Sequence, residues 1–437
     1  MKVNSIFLFS IFVIIVMIID STIVKTFGYS NSRIPGTFDT LLFLVFVAVF
    51  IISNFLILNT TKNIKIYSII KKLYPVIVVN QSIIAAILVL IIIQMNLYSY
   101  YDRNLFLSVV YFSCISSVLF SVFLVIKLFQ WFKYHQNYII LLYGIAFSLL
   151  VGKSLIGVIY VTQEILNHSI TVVPSETRRM IMNLSNVNAT LSNILKNTYY
   201  YTSILSYILI WITTVLLLRQ YSNKFGKFKY WVLVSVPLIY FFTQDRIVLI
   251  SFFNSIILSS PNLFGIIHTL FFSAVQLVGG TLFGIGFFIS AKKINREKIS
   301  NPLIISGIGI IILIGSTEIF GVYVGAYPPY GLVTISFMGL ASYLLLSGIL
   351  LSAILIANNI QIRKELYKMV DNQPALFRDI GSSEMESERE KHVKKLMKST
   401  SNLTKQYDED YEYDEEETRK YIKDVLAELQ EKNKFEK

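Results

Sequence analysis

Lys62-Asn63-Ile64-Lys65-Ile66-Tyr67-Ser68-Ile69-Ile70-Lys71-Lys72, with the uncharged run Val76–Leu97 close behind it, is the stretch that decides the fold. A helix rising 1.5 Å per residue needs about 20 mostly apolar residues to cross ~30 Å of hydrocarbon, and Val76–Leu97 supplies them. The lysines at its start orient it, because basic loops stay on the cytoplasmic side. Apolar runs of similar length recur at Ser5–Ile23, Thr40–Leu58, Leu105–Leu128, Tyr138–Val161, Tyr199–Leu218, Trp231–Ser259, Phe264–Ala291, Ile304–Ala326 and Gly331–Ala357. Together they predict an all-α, polytopic transmembrane helix bundle of about ten spans.

The charges between the runs support the same map. One set of connections carries Lys62, Lys65, Lys71 and Lys72; Lys127 and Lys133; Arg219, Lys224, Lys227 and Lys229; and Lys292, Lys293, Arg296 and Lys298, joined by Lys2. The alternate set holds Lys25, Arg33, Arg103, Arg178, Arg179, Lys196 and Arg246. The two sets take turns along the chain, which places the first set and both termini in the cytoplasm of a multi-pass cell-membrane protein. Composition agrees: 54% of residues are apolar, 15% are charged, and mean hydropathy is +0.60. The basic balance, +12 overall, flanks apolar spans, so it reads as topology and excludes a nucleic-acid partner. A cleaved signal peptide is the other reading of Lys2 and Ser5–Ile23, but Asp20-Ser21-Thr22 makes a poor cleavage site and the first run reads as retained. Trp231–Ser259 is interrupted by Gln244-Asp245-Arg246 and reads either as one span with a polar break or as a short span with a re-entrant piece.

Residues 1–357 therefore form the bundle, with an external loop at 162–198, and 358–437 form a charged cytoplasmic tail. The loop carries three N-x-S/T triplets, making Asn167, Asn183 and Asn188 glycosylation candidates, and the bilayer itself is a partner of the whole bundle. Met180, Ile181, Leu184, Leu191, Ile194 and Leu195 recur at near-helical spacing, which predicts a helix: an ordinary amphipathic loop helix first, or one lying on the membrane surface or over the bundle.

Ionisable side chains within hydrocarbon are costly and are default functional candidates. Asp20, Lys153, Asp245, Arg246 and Glu318 all fall in the outer third of their spans, which predicts an outward pocket with Lys153 facing Glu318, charges that snorkel to the headgroups, or a structural ion pair that holds two helices in register. Gly280-x-x-x-Gly284 and Gly321-x-x-x-Gly325 read as close helix packing within the bundle, ahead of dimerisation. The histidines are scattered, Cys114 is the lone cysteine, and no metal spacing, phosphate-binding loop or catalytic constellation occurs, so no cofactor, metal or catalytic residue is assigned.

The tail holds 16 Lys/Arg and 19 Asp/Glu, against 23 and 8 in the rest of the chain. It reads as two short helices around a flexible acidic linker at Tyr407–Glu417. Ser383-x-x-Glu386 is a capping box that predicts a helix from there to about Ser399. The second helix, about Glu415–Lys432, puts Ile422, Val425, Leu426 and Leu429 in an apolar stripe suited to a cytoplasmic protein partner or a second copy of the tail; a solvated, weakly structured tail is the equal alternative.

Two stretches, Ala326–Ala357 with its Tyr327-Pro328-Pro329-Tyr330-Gly331 turn, and Leu376-Phe377-Arg378-Asp379-Ile380-Gly381, resemble a group of uncharacterised archaeal multi-pass membrane proteins. The resemblance implies a shared membrane architecture with a cytoplasmic appendage and carries over no catalytic residue. A sensor or scaffold with an interaction tail is the expected function. A secondary transporter of a small solute, and an outer-face enzyme acting on lipid-linked substrates, remain open alternatives.

Overall fold

Every side of the segment from Leu332 to Asn358 is apolar or small, and a helix of that kind belongs at the centre of a bundle. The computed structural model puts it there. Residues 3–29, 37–61, 68–98, 101–173, 179–184, 189–219, 226–242, 275–294, 297–317, 328–359 and 375–407 are described. Helices α1 (Val3–Tyr29), α2 (Thr37–Thr61), α3 (Ser68–Tyr98), α4 (Arg103–Tyr134) and α5 (Tyr138–Asn167) come first. A hairpin of β1 (His168–Val173) and β2 (Arg179–Leu184) follows, then α6 (Ala189–Arg219), α7 (Lys227–Phe242), α8 (Val275–Ile294) and α9 (Glu297–Ser316). The chain closes with α10 (Leu332–Ser336), α11 (Met338–Asn358) and α12 (Ala375–Tyr407).

From α1 to α9 each helix packs against the next, as short connections between antiparallel neighbours require. Helix α11 is enclosed by α3, α4, α9 and α12. Close backbone approach lets it fit. A Cβ on Gly309 of α9 would stand 2.6 Å from the Leu345 amide nitrogen of α11. Between α8 and α9 the approach is mutual: a Cβ on Gly284 would lie 2.8 Å from the Gly307 carbonyl oxygen, and one on Gly307 3.0 Å from that of Gly284. The Gly280–Gly284 pair thus packs within the bundle, as small-residue spacing in apolar helices favours. Gly321 and Gly325 lie outside the described residues.

Among the described residues, seven helices are long and apolar enough to cross a membrane: stretches of α2, α3, α4, α5, α6 and α9, and the run Leu332–Asn358. Ser10–Ile23 and Val278–Lys292 are shorter apolar helices. Of the ten runs read from sequence, Trp231–Ser259 is described only as far as Phe242.

The stretch expected to be a loop or surface helix is not one. Met180, Ile181 and Leu184 lie in β2, paired antiparallel with β1 from His168↔Leu184 to Val173↔Arg179. Leu191, Ile194 and Leu195 belong to the first turns of α6. The β-branched run Ile170-Thr171-Val172-Val173 offers β2 a matching extended partner, and the ladder pairs the main-chain groups of the two strands that face each other.

Candidate functional site

The second correction concerns the tail, and it builds the site. Helix α12 starts at Ala375, not at the Ser383 capping box, and continues to Tyr407. Leu376, Phe377, Ile380, Gly381, Glu384 and Ser387 recur every three or four residues and form one buried face. That face lies on the bundle, mainly on α4 and α11, at the end where the lysine-bearing loops lie. Phe377 enters a groove formed by Leu128, Tyr143, Phe147, Phe287 and Ile349, and its ring meets Phe287 edge-on with centroids 6.0 Å apart. Gly381 passes so close to Ile356 that a Cβ there would collide with its side chain. Ser383 has no role as a cap. Its hydroxyl donates to the Trp131 carbonyl at 3.0 Å.

Helix α4 supplies the polar half of the seat. Lys127 and Trp131 stand one turn apart on the same face, below Leu124. Glu384 is only 1% exposed. One of its carboxylate oxygens accepts from Trp131 Nε1 at 2.7 Å, and Lys127 Nζ lies 3.4 Å from both. The lysine is also buried, so the pair is withdrawn from water on both sides. Such a pair is held only if the remaining lone pairs are satisfied, and the indole N–H does this. Further out, Tyr134 donates its hydroxyl to Glu390. In the α4–α5 turn, Asn137 Oδ1 accepts from the Ile139 amide at 2.9 Å and starts α5, while its Nδ2 donates to Asp379 at 2.7 Å. Arg378 pairs with Asp379 at 2.9 Å.

Sequence reading missed this set. Lys127 counted there as a topology charge, and Glu384 was an unassigned position inside the capping box. The signal was present in the spacing of Leu376, Phe377 and Ile380 ahead of the capping box.

The residues singled out from sequence fall elsewhere. Asp20 is fully buried on α1, and its carboxylate accepts from the Gly331 amide at 2.8 Å, the Thr334 amide at 3.1 Å and the Thr334 hydroxyl at 2.6 Å. It therefore caps α10 from another helix: an anion at a helix N-terminus, where free N–H groups gather. Gly331 sits at φ 87°, a conformation that favours glycine, and this turns its N–H toward the carboxylate. Tyr330 beside it packs edge-on against Phe43 and Phe46 of α2. Lys153 is buried on α5, with Nζ 3.5 Å from Thr317 Oγ1 and 5.4 Å from the centre of the Tyr199 ring. Tyr199 in turn donates to the Thr317 carbonyl at 2.8 Å. Asp20 and Lys153 are thus held by separate partners, α10 for one and the end of α9 with α6 for the other.

Asp245, Arg246 and Glu318 lie outside the described residues, as do Asn188 and the stripe Ile422, Val425, Leu426 and Leu429. Asn167 ends α5, and Asn183 pairs with Ser169 in the hairpin. Among the described residues no group of His, Cys, Asp and Glu is placed to hold a metal ion. What this seat can do chemically is hold a helix on the bundle. No family model, curated protein or solved structure matches the chain.

Proposed function

We propose that the chain is an integral protein of the cell membrane, with both termini in the cytoplasm, acting as a sensor or scaffold. In this reading the bundle responds to something outside or within the bilayer. The response is delivered by seating or releasing α12, which carries the rest of the tail to a cytoplasmic protein partner or to another copy. One observation supports it above the others: Glu384 and Phe377 seat the tail on the bundle through a buried ion pair and a fitted aromatic, contacts that a merely solvated tail would lack. The alternation of basic loops supports the orientation, and the resemblance to archaeal multi-pass proteins with a cytoplasmic appendage agrees with it.

The test is chemical crosslinking of the full-length protein in intact cells. Phe377→Glu, which places a charge in the apolar groove, should raise the yield of adducts made through the tail several-fold over wild type. Identical adduct patterns, together with wild-type behaviour after removal of 375–437, would end the reading.

A second reading, a secondary transporter of a small solute, draws on Lys153. A basic side chain buried among apolar helices beside Thr317 is a functional candidate in its own right. Solute flux in proteoliposomes that Lys153→Met abolishes would support it; proteoliposomes of the unmodified protein that carry no solute would exclude it.

A further inference from the structure

A different part of the bundle, independent of the tail, carries a polar layer for which neither reading has a use. Gln81 lies on α3 with 2% of its surface exposed, and neither its amide nitrogen nor its oxygen meets a hydrogen-bond partner among the described residues. Its nitrogen is 3.3 Å from where a Cβ of Gly339 would stand, and the Ser116 hydroxyl converges on the same point. Glycine at 339 is what lets the carboxamide and the hydroxyl meet α11 together. One turn along α4, the fully buried Ser113 hydroxyl also lacks a partner among the described residues. Ser116 donates to the Ser113 carbonyl at 3.0 Å, which leaves its own lone pairs to accept.

Helix α2 contributes from the other side. Asn54 donates to the Phe50 carbonyl at 3.0 Å, while its oxygen has no partner among the described residues. The Tyr74 hydroxyl donates to the Leu58 carbonyl at 3.2 Å, which sets α3 against α2. The two helices run antiparallel, so Gln81 and Asn54 stand within about one turn of each other in depth.

The layer offers donors (the Gln81 amide, the Ser113 hydroxyl) and acceptors (the Gln81, Asn54 and Ser116 oxygens), with no charged side chain in the set. Apolar neighbours and lipid can satisfy none of them. An anion would find no positive charge there, and a cation would meet the Gln81 N–H groups. A small neutral molecule that donates and accepts at once fits the whole set. We propose that this layer between α2, α3, α4 and α11 is a binding site for water. The bound water accepts from Gln81 and Ser113 and donates to the carbonyl oxygens of Gln81 and Asn54.

The experiment is millisecond radiolytic footprinting of the full-length protein in lipid nanodiscs, reading two methionines that are both fully buried: Met338, next to Gly339, and Met17 on α1. Water held in the layer should oxidise Met338 at least several-fold faster than Met17; equal rates overturn the proposal. Thermal unfolding of Gln81→Leu gives an independent reading. A dry layer gains from losing an unpaired amide, so Tm would rise or stay unchanged and the proposal would fail. A hydrated layer loses a ligand for its water, and Tm falls. If Gln81→Leu does not fold, the footprint of the unmodified protein decides.

Discussion

Two buried carboxylates, Asp20 and Glu384, are satisfied in opposite ways. Asp20 rests on main-chain N–H groups and one hydroxyl at the start of α10. Glu384 rests on two long side chains of α4, Lys127 and Trp131. The first arrangement is part of the backbone geometry of the bundle and can be lost only by disturbing it. The second joins α12 to the bundle through side chains of α4, so losing it disturbs the contact between two helices and not the backbone geometry of either. A cap on main chain holds one helix end in place; a seat made of side chains holds two helices together.

Breaking the Glu384 seat should have the largest local effect. Lys127→Met leaves Glu384 buried against Trp131 without its cation. Stranding one partner of a buried pair costs about 3–5 kcal/mol, which here falls on docking alone. Hydrogen exchange of 376–387 should accelerate by orders of magnitude, while exchange in α11 stays unchanged. Acceleration of both would erase the distinction between the two carboxylates. Adding Glu384→Gln to Lys127→Met removes the stranded charge and should restore most of the protection, because a neutral pair is tolerated where a lone charge is not.

Asp20→Ala attacks the architecture. Three donors lose their acceptor, at about 2–3 kcal/mol, and the loss should appear as a lower Tm of the whole bundle with the docking of α12 retained at temperatures where the bundle is folded. A smaller step is Ser383→Ala, which deletes one hydrogen bond to the Trp131 carbonyl and should weaken docking by about 1 kcal/mol. Lys391→Ala sets the lower limit. Its partner Glu388 is one turn away, and both side chains are about half exposed, so neither docking nor Tm should move measurably.

The elements that could be read in advance were those whose stability is local. A helix in an apolar setting closes its own main-chain hydrogen bonds, so Val76–Leu97 or Leu105–Leu128 announces itself without knowledge of its neighbours. The hairpin at 168–184 was overlooked because Met180, Ile181 and Leu184 fit a helical period when β1 is left out of view. Pairing between strands is a tertiary fact, even over a short distance. The same holds for Gln81. Its place within a span was evident, but its convergence with Ser116 on Gly339 brings together helices far apart in the chain.

Sequence by itself determined that the chain carries apolar helices long enough to cross a membrane, which connections carry the lysines, that Gly280 and Gly284 suit close packing, and that Asp20 and Lys153 would be expensive to bury. Each of these follows from composition and spacing within one segment. Only the tertiary structure decided what those groups meet: Gly331 and Thr334 for Asp20, Thr317 and Tyr199 for Lys153, and Lys127 and Trp131 for Glu384. The reason is range. Helix formation is set by the few residues around each turn, whereas a buried charge finds its partner across hundreds of residues of chain, and packing alone chooses which one.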